Sequence, residues 1–188
     1  MTLSDLLPPT FVQMLAALSG WLDKAEGQLP ADEAQALLAA QLAPDMFPLS
    51  TQIRFACVQA LEGMHRLRGE GFRPLRGTLL DEGRNAAENP GSLNHARSRI
   101  AETIAVVSAL SGDASVPGHG GRVAHDLPNG MIFDLSAEQY ARDWALGQFY
   151  FHVTIAYAIL RNQGIALGKA DYVAHMFQYL RPGTMPSQ

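Results

Sequence analysis

The chain of 188 residues has a single cysteine, Cys57. No intramolecular disulfide can form, which fits a reducing compartment, so a cytoplasmic protein is expected. Charge is also sparse. Asp, Glu, Lys and Arg make up 17% of residues, the net charge is -4, and no basic stripe of the kind that tracks phosphates is present. Nucleic acid is therefore not an expected partner. The run from Trp144 to Leu160 contains no Asp, Glu, Lys or Arg, but it falls short of the roughly 20 apolar residues that a bilayer requires. It also holds Gln148, His152 and Thr154, so it reads as a core helix. The N-terminus lacks a basic n-region and Pro8-Pro9 interrupts its first apolar stretch, so neither a targeting segment nor a membrane partner is expected.

Catalytic signatures are missing as well. No HxxxH, HExxH or CxxC occurs, there is no GxSxG elbow, and Gly118-His119-Gly120-Gly121 does not match a phosphate-binding loop. Cys57 lies between Ala56 and Val58 at mid-helix, where a thiol is usually buried and inert.

What the sequence has is helical periodicity. Phe11, Leu15, Leu18, Leu22 and Ala25 share one stripe and predict a first helix over Pro9–Glu26. A short helix is expected over Ala31–Gln41, and a second long one over Leu49–Arg68 on Leu49, Ile53, Ala56, Ala60, Met64 and Leu67. Gly69 to Gly91, rich in Gly, Pro and charge, reads as a long surface connection. A third helix covers Ser92–Leu110. Asn129-Gly130 between two apolar-containing runs predicts a hairpin of Arg122–Leu127 with Met131–Leu135. Ser136 with Gln139 forms a capping box for the last long helix, which runs to Asn162 with Gly164 as its left-handed stop. A short helix over Lys169–Leu180 follows. The expectation is an all-α four-helix bundle with a small β-hairpin before the last long helix, one domain over residues 1–180, and a disordered tail at 181–188.

Against this background His152 stands out, because a buried imidazole needs a hydrogen-bond partner, a metal or a chemical role. Gln148 lies one turn before it on the same face. The pair could approach a metal, although a Gln amide is a weak zinc partner. The competing reading is a core histidine bonded to Gln148 or to a residue on a facing helix. Asp45, just before the second helix, suits an N-cap better than catalysis. Of the other histidines, His65 is expected to face solvent, His95 to sit in the first turn of the third helix, and His175 in the C-terminal segment. His119 and His125 could reach a pocket mouth.

Two blocks carry a resemblance: Leu42-Ala43-Pro44-Asp45-Met46-Phe47-Pro48-Leu49, and Phe149-Tyr150-Phe151-His152-Val153-Thr154-Ile155-Ala156-Tyr157-Ala158-Ile159-Leu160-Arg161 with the following Gly164-Ile165-Ala166-Leu167-Gly168-Lys169-Ala170-Asp171. With Pro9-Thr10-Phe11 they resemble a bacterial domain-of-unknown-function family in the DinB/YfiT-like superfamily, over nearly the whole chain. The resemblance implies an up-down-down-up four-helix bundle. It also implies kinship with metal-dependent enzymes, among them thiol-dependent transferases and isomerases. Their metal is held by one histidine early in the second helix and by an HxxxH pair on the fourth. His152 matches the second histidine of that pair. The first falls on Gln148, and the second-helix position falls near Thr51 or Gln52. The resemblance thus leaves a divalent zinc or nickel ion as a conceivable cofactor with His152 as its ligand, disfavoured by the missing histidines. The pocket candidates are His152, Gln148, Gln52 and Asp45. Two functions follow: a bundle that binds a small-molecule ligand or a partner around a degenerate metal site, as a homodimer, or a metal-dependent enzyme of the thiol-transferase/isomerase type. The homodimer rests on bundle precedent and on Tyr172, Met176, Phe177 and Tyr179 near the C-terminus.

Overall fold

The computed structural model describes residues 3–111, 121–127 and 129–184. In chain order the elements are α1 (Leu3–Gln28), α2 (Ala31–Ala36) with a 3₁₀ turn at Leu37–Ala39, α3 (Leu49–Arg68), α4 (Pro74–Arg84) and α5 (Leu93–Ala109). They are followed by β1 (Arg122–Asp126), β2 (Ile132–Ser136), α6 (Ala137–Gln139), a π-helical segment (Tyr140–Ala145), α7 (Leu146–Asn162), α8 (Lys169–Tyr172) and a 3₁₀ stretch (Ala174–Tyr179).

Cross-contacts fix the direction of each long helix. Phe11 of α1 meets Phe149 of α7 edge-on at 4.8 Å, and Trp21 meets Tyr157 at 5.3 Å, so α1 and α7 run parallel. A Cβ at Gly63 on α3 would lie 3.0 Å from Phe11 and 3.4 Å from Ala145, whereas Gln52, three turns earlier, bonds His152. Helix α3 is therefore antiparallel to both. Ser50 bonds the carbonyl of Pro90 near the start of α5, and Arg68 bonds the carbonyl of Leu110 at its end, so α5 runs with α3. The order is up, down, down, up.

Two consecutive helices pointing the same way need a return connection, and α4 supplies it. Glu62 pairs with Arg76 at one end of α4 and Thr51 Oγ1 donates to the carbonyl of Gly83 at the other, at 2.9 Å. The stretch expected to be a surface loop is thus a helix. Pro74 opens it at a first-turn position and Leu79 is buried on its inner side, a short apolar signal masked by the surrounding glycines and charges.

Other expectations shift by smaller amounts. Helix α1 begins at Leu3 and contains Pro8 and Pro9. The Ala31–Gln41 helix is shorter and closes in a 3₁₀ turn. Helix α3 starts on Pro48, and no side chain caps it. Asp45 lies too far upstream for capping and is exposed; the Leu49 amide instead donates to the Ala40 carbonyl. The hairpin pairs Arg122 with Ser136 and Asp126 with Ile132. The capping box at Ser136 and Gln139 is formed, and the helix it starts continues to Asn162. The Lys169–Leu180 segment divides into α8 and the 3₁₀ stretch. Residues 181–184 form a hydrogen-bonded turn, and the remainder of the expected tail, like His119, lies outside the described residues.

The core is built from the predicted stripes. Phe11, Leu15, Leu18, Leu22 and Ala25 are fully buried against Leu49, Ile53, Ala56 and Ala60. Among the described residues no helix is long and apolar enough to cross a membrane.

A Cβ added at Gly83 would lie 2.5 Å from the Phe55 ring. Glycine to alanine inside a helix ordinarily gains about 1 kcal/mol, whereas forcing a methyl group into a packed contact costs about 1–3 kcal/mol. Gly83→Ala is expected to lower stability by up to about 2 kcal/mol in urea unfolding and to displace the His152 ring resonances through Phe55. A stabilised variant would show that α4 can move freely off α3.

Candidate functional site

His152 sits on the inner side of α7, 7% exposed, between the edges of Phe55 and Phe151. Its Nδ1 lies 2.9 Å from Oε1 of Gln52. The Gln52 amide is oriented by its nitrogen, which donates to the carbonyl of Phe47 at 3.1 Å. Oε1 is therefore an acceptor, and Nδ1 of His152 must carry the proton. The imidazole is neutral: burial pushes its pKa down to about 4. Of the two sequence alternatives for its partner, the facing helix supplies it. Gln148 is half-buried and makes no hydrogen bond with His152.

These residues do not fit a zinc or nickel site of the three-ligand kind. His152 can offer only Nε2, and Gln52 is committed at both ends. Thr51 gives its hydroxyl to Gly83, which leaves an amide at Gln148. Three strong donors with an open position are not assembled. Among the described residues no group of three or more His, Cys, Asp and Glu side chains is placed so that it could hold a metal ion. Asp45 joins neither His152 nor the adjoining cleft. Cys57 is fully buried and its thiol is pushed up to about 12 by desolvation, so it is no nucleophile.

Phe55 links His152 to a cleft of about 500 Å³ between α3, α4, β1 and the π-helical segment. Sequence reasoning missed most of this cleft, because α4 was not anticipated and the π segment has no simple sequence signature. Single-turn π insertions recur at functional sites, and this one carries Trp144 to the cleft wall and Tyr140 against His125. His125, on the hairpin as expected, is 3% exposed, packed against Trp144 at 4.2 Å and Tyr140 at 5.5 Å. Burial, and then the Arg66 charge, lower its pKa, so it too is neutral.

Two ion pairs frame the opening. Arg76 Nε donates to Oε1 of Glu62 at 2.7 Å, and Arg66 pairs with Asp126 at 2.7 Å while donating to the Ala124 carbonyl. Both guanidinium groups lie over the Phe72 ring, at 4.7 and 5.2 Å. Around this cleft, Gln59 Oε1, Arg66 Nε, both His125 nitrogens, Tyr140 OH and Trp144 Nε1 are buried without a hydrogen-bond partner. His65, expected on the surface, is instead 1% exposed under Phe72 and lies 3.7 Å from Glu70, with its pKa lowered mainly by burial.

The profile of the family described as "Domain of unknown function (DUF1993)" matches residues 3–173, and the chain belongs to that family. A crystal structure of a DinB family member protein from Shewanella denitrificans is similar, with 29% identity and a TM-score of 0.71 over 98% of this chain and 96% of that one. The up-down-down-up bundle is thus a DinB-like fold. No curated protein matches the chain.

An unfolded histidine titrates near 6.5, whereas folded His152 does so at about 4. Between these values the unfolded chain binds more protons, so stability should fall as pH drops from about 6.5 towards 4, with His152 contributing up to about 3 kcal/mol of that loss. His65 and His125 act in the same direction. Urea titrations at pH 7.5 and 5.0 should show a smaller pH difference in His152→Leu/Gln52→Leu, which removes both hydrogen-bonding partners together. An unchanged difference would contradict the neutral, buried assignment.

Proposed function

We propose that this chain is a small-ligand-binding bundle whose site is the cleft between α3, α4, the hairpin and the π segment, backed through Phe55 by a neutral His152. The observation that carries this reading is a cavity whose lining residues Gln59, Arg66, His125 and Trp144 each hold a buried polar atom without a hydrogen-bond partner. Each such atom costs roughly 1–3 kcal/mol when left unsatisfied, and such groups are ordinarily paired. A cavity of about 500 Å³ lies within the range that small-molecule sites occupy.

The metal-dependent thiol-transfer reading is disfavoured by the donor set. His152 marks the place of a degenerate metal site and acts as a hydrogen-bonding element held by Gln52. A homodimer is supported by the exposed Met176, Phe177, Tyr179 and Leu180 near the C-terminus. The free thiol of Cys57 supports a cytoplasmic location.

A ligand-observed NMR screen of several hundred polar small molecules tests the function. Bound compounds should be found, and Leu80→Trp, which fills the cleft from its α4 wall, should abolish their binding while leaving the helical circular dichroism intact. A screen without binders, or binders indifferent to Leu80→Trp, would contradict the reading. Protein purified without chelator should carry well below one zinc or nickel per chain by elemental analysis. Stoichiometric metal that is lost in His152→Ala would establish the enzyme-like site instead.

A further inference from the structure

Three stretches of the chain contain no Asp, Glu, Lys or Arg: residues 6–22 within α1, 144–160 through α7, and 172–180 at the C-terminal end. The fold brings all three to one side of the bundle. Helices α1 and α7 run parallel and touch through Phe11 with Phe149 and Trp21 with Tyr157. Tyr172 lies over their seam. Its ring stacks on Trp21 at 5.5 Å and meets Tyr157 edge-on at 5.4 Å, and its hydroxyl is 3.0 Å from that of Thr154.

The side so formed is open and apolar. Ala16 is exposed on α1, and Met176, Phe177, Tyr179 and Leu180 are exposed on the C-terminal stretch. A groove of about 380 Å³ runs between the two, with Gln13, Ala16, Ala17 and Gly20 on the α1 wall and Ala174 and His175 on the other. The α1 wall is made mostly of very short side chains. The stretch that forms the opposite wall continues directly into Met176 and Phe177.

Charges at the border of this side are already neutralised. Lys24 pairs with Asp171, and Arg97 with Asp23 and Glu26. Helices α4 and α5, by contrast, carry Arg76, Asp81, Arg84, Arg99 and Glu102. A second copy of this chain is the occupant that suits such a side. Two molecules of net charge -4 repel, and a face without charges is where they approach at least cost. The helix directions agree. A two-fold axis perpendicular to α1 and α7 sets the parallel pair of one protomer antiparallel to that of its partner, which opposes the helix dipoles. A lipid surface suits it less, because interfacial helices border their apolar face with Lys and Arg. Here four of the six residues flanking the charge-free stretches are acidic: Asp5, Asp23, Asp143 and Asp171.

We propose that the chain forms a two-fold symmetric dimer through the α1 face and the C-terminal stretch. Met176 and Phe177 of each protomer pack against Ala16, Ala17 and Gly20 of the other, the reciprocal contact that an isologous interface requires. This inference rests on the homodimer reading above and names its interface.

Sedimentation equilibrium of the full chain at micromolar concentration tests it. The wild type should be a dimer. Ala16→Arg places an unpaired charge inside the interface and should weaken association at least about tenfold. Phe177→Ser should weaken it as well. Ala101→Arg, the same change at an exposed position of α5, should leave the dimer intact. All three sites are exposed in the protomer, so the helical circular dichroism should stay unchanged. The wild type should not co-sediment with vesicles of phosphatidylcholine and phosphatidylglycerol. A dimer indifferent to both Ala16→Arg and Phe177→Ser would overturn this interface while sparing the homodimer reading. A monomer would overturn both, and vesicle binding that is lost in Ala16→Arg would assign the face to lipid instead.

Discussion

Helix α3 is enclosed along most of its surface, and the rest of the molecule follows from that constraint. It packs against α1, α4, α5 and α7, and buried polar side chains along it include Ser50, Thr51, Gln52, Arg54, Glu62 and His65. A helix in this position cannot leave polar groups to water, so each needs a partner from a neighbouring element. Ser50 and Thr51 bond backbone carbonyls of the α4–α5 region, and Arg54 bonds Ser50 and approaches Glu82 at 3.5 Å. Gln52 reaches across to His152 on α7. These contacts set the register of three helices against one, which explains why α4 is a helix that hugs α3 although its sequence is rich in charge.

The same constraint locates the site. Towards the C-terminal half of α3 the side chains of Gln59, Glu62 and Arg66 face a region where α4, the hairpin and the π segment meet without closing over them. Satisfaction there is incomplete. Glu62 and Arg66 have ionic partners, yet Gln59 Oε1, Arg66 Nε and the neighbouring His125 and Trp144 nitrogens have none. Arg54 Nε, towards the other end of α3, is likewise without a hydrogen-bond partner and lies 3.5 Å from Glu82.

Much of the frame was legible because apolar periodicity survives single-sequence reading. The stripes of α1 and α3, the Ser136 capping box and the Asn129-Gly130 hairpin all express local physics. Helix α4 was not legible, since its only inward signals are a few leucines around Leu79 and its stability comes from packing on α3. His65 was misplaced for a related reason. Its neighbours Arg66 and Arg68 suggest a solvated helix end, but Phe72 and the chain leading to α4 fold back over it. At the site, His152 could be singled out from the apolar run around it. Its partner Gln52, a hundred residues away, could be narrowed only to a second-helix neighbourhood through family resemblance. The cleft depends on α4 and on a π insertion, neither of which leaves a periodic trace.

His152 is a neutral imidazole whose Nδ1–H is given to Gln52. Nitrogen-15 NMR of the histidine rings at pH 7, with and without an equimolar amount of zinc, tests it most directly. An Nδ1-protonated tautomer is expected for His152, lost to another form in Gln52→Leu, with no change in the ring resonances on adding zinc. An Nε2-protonated or charged ring, or a zinc-dependent shift at His152, would contradict it.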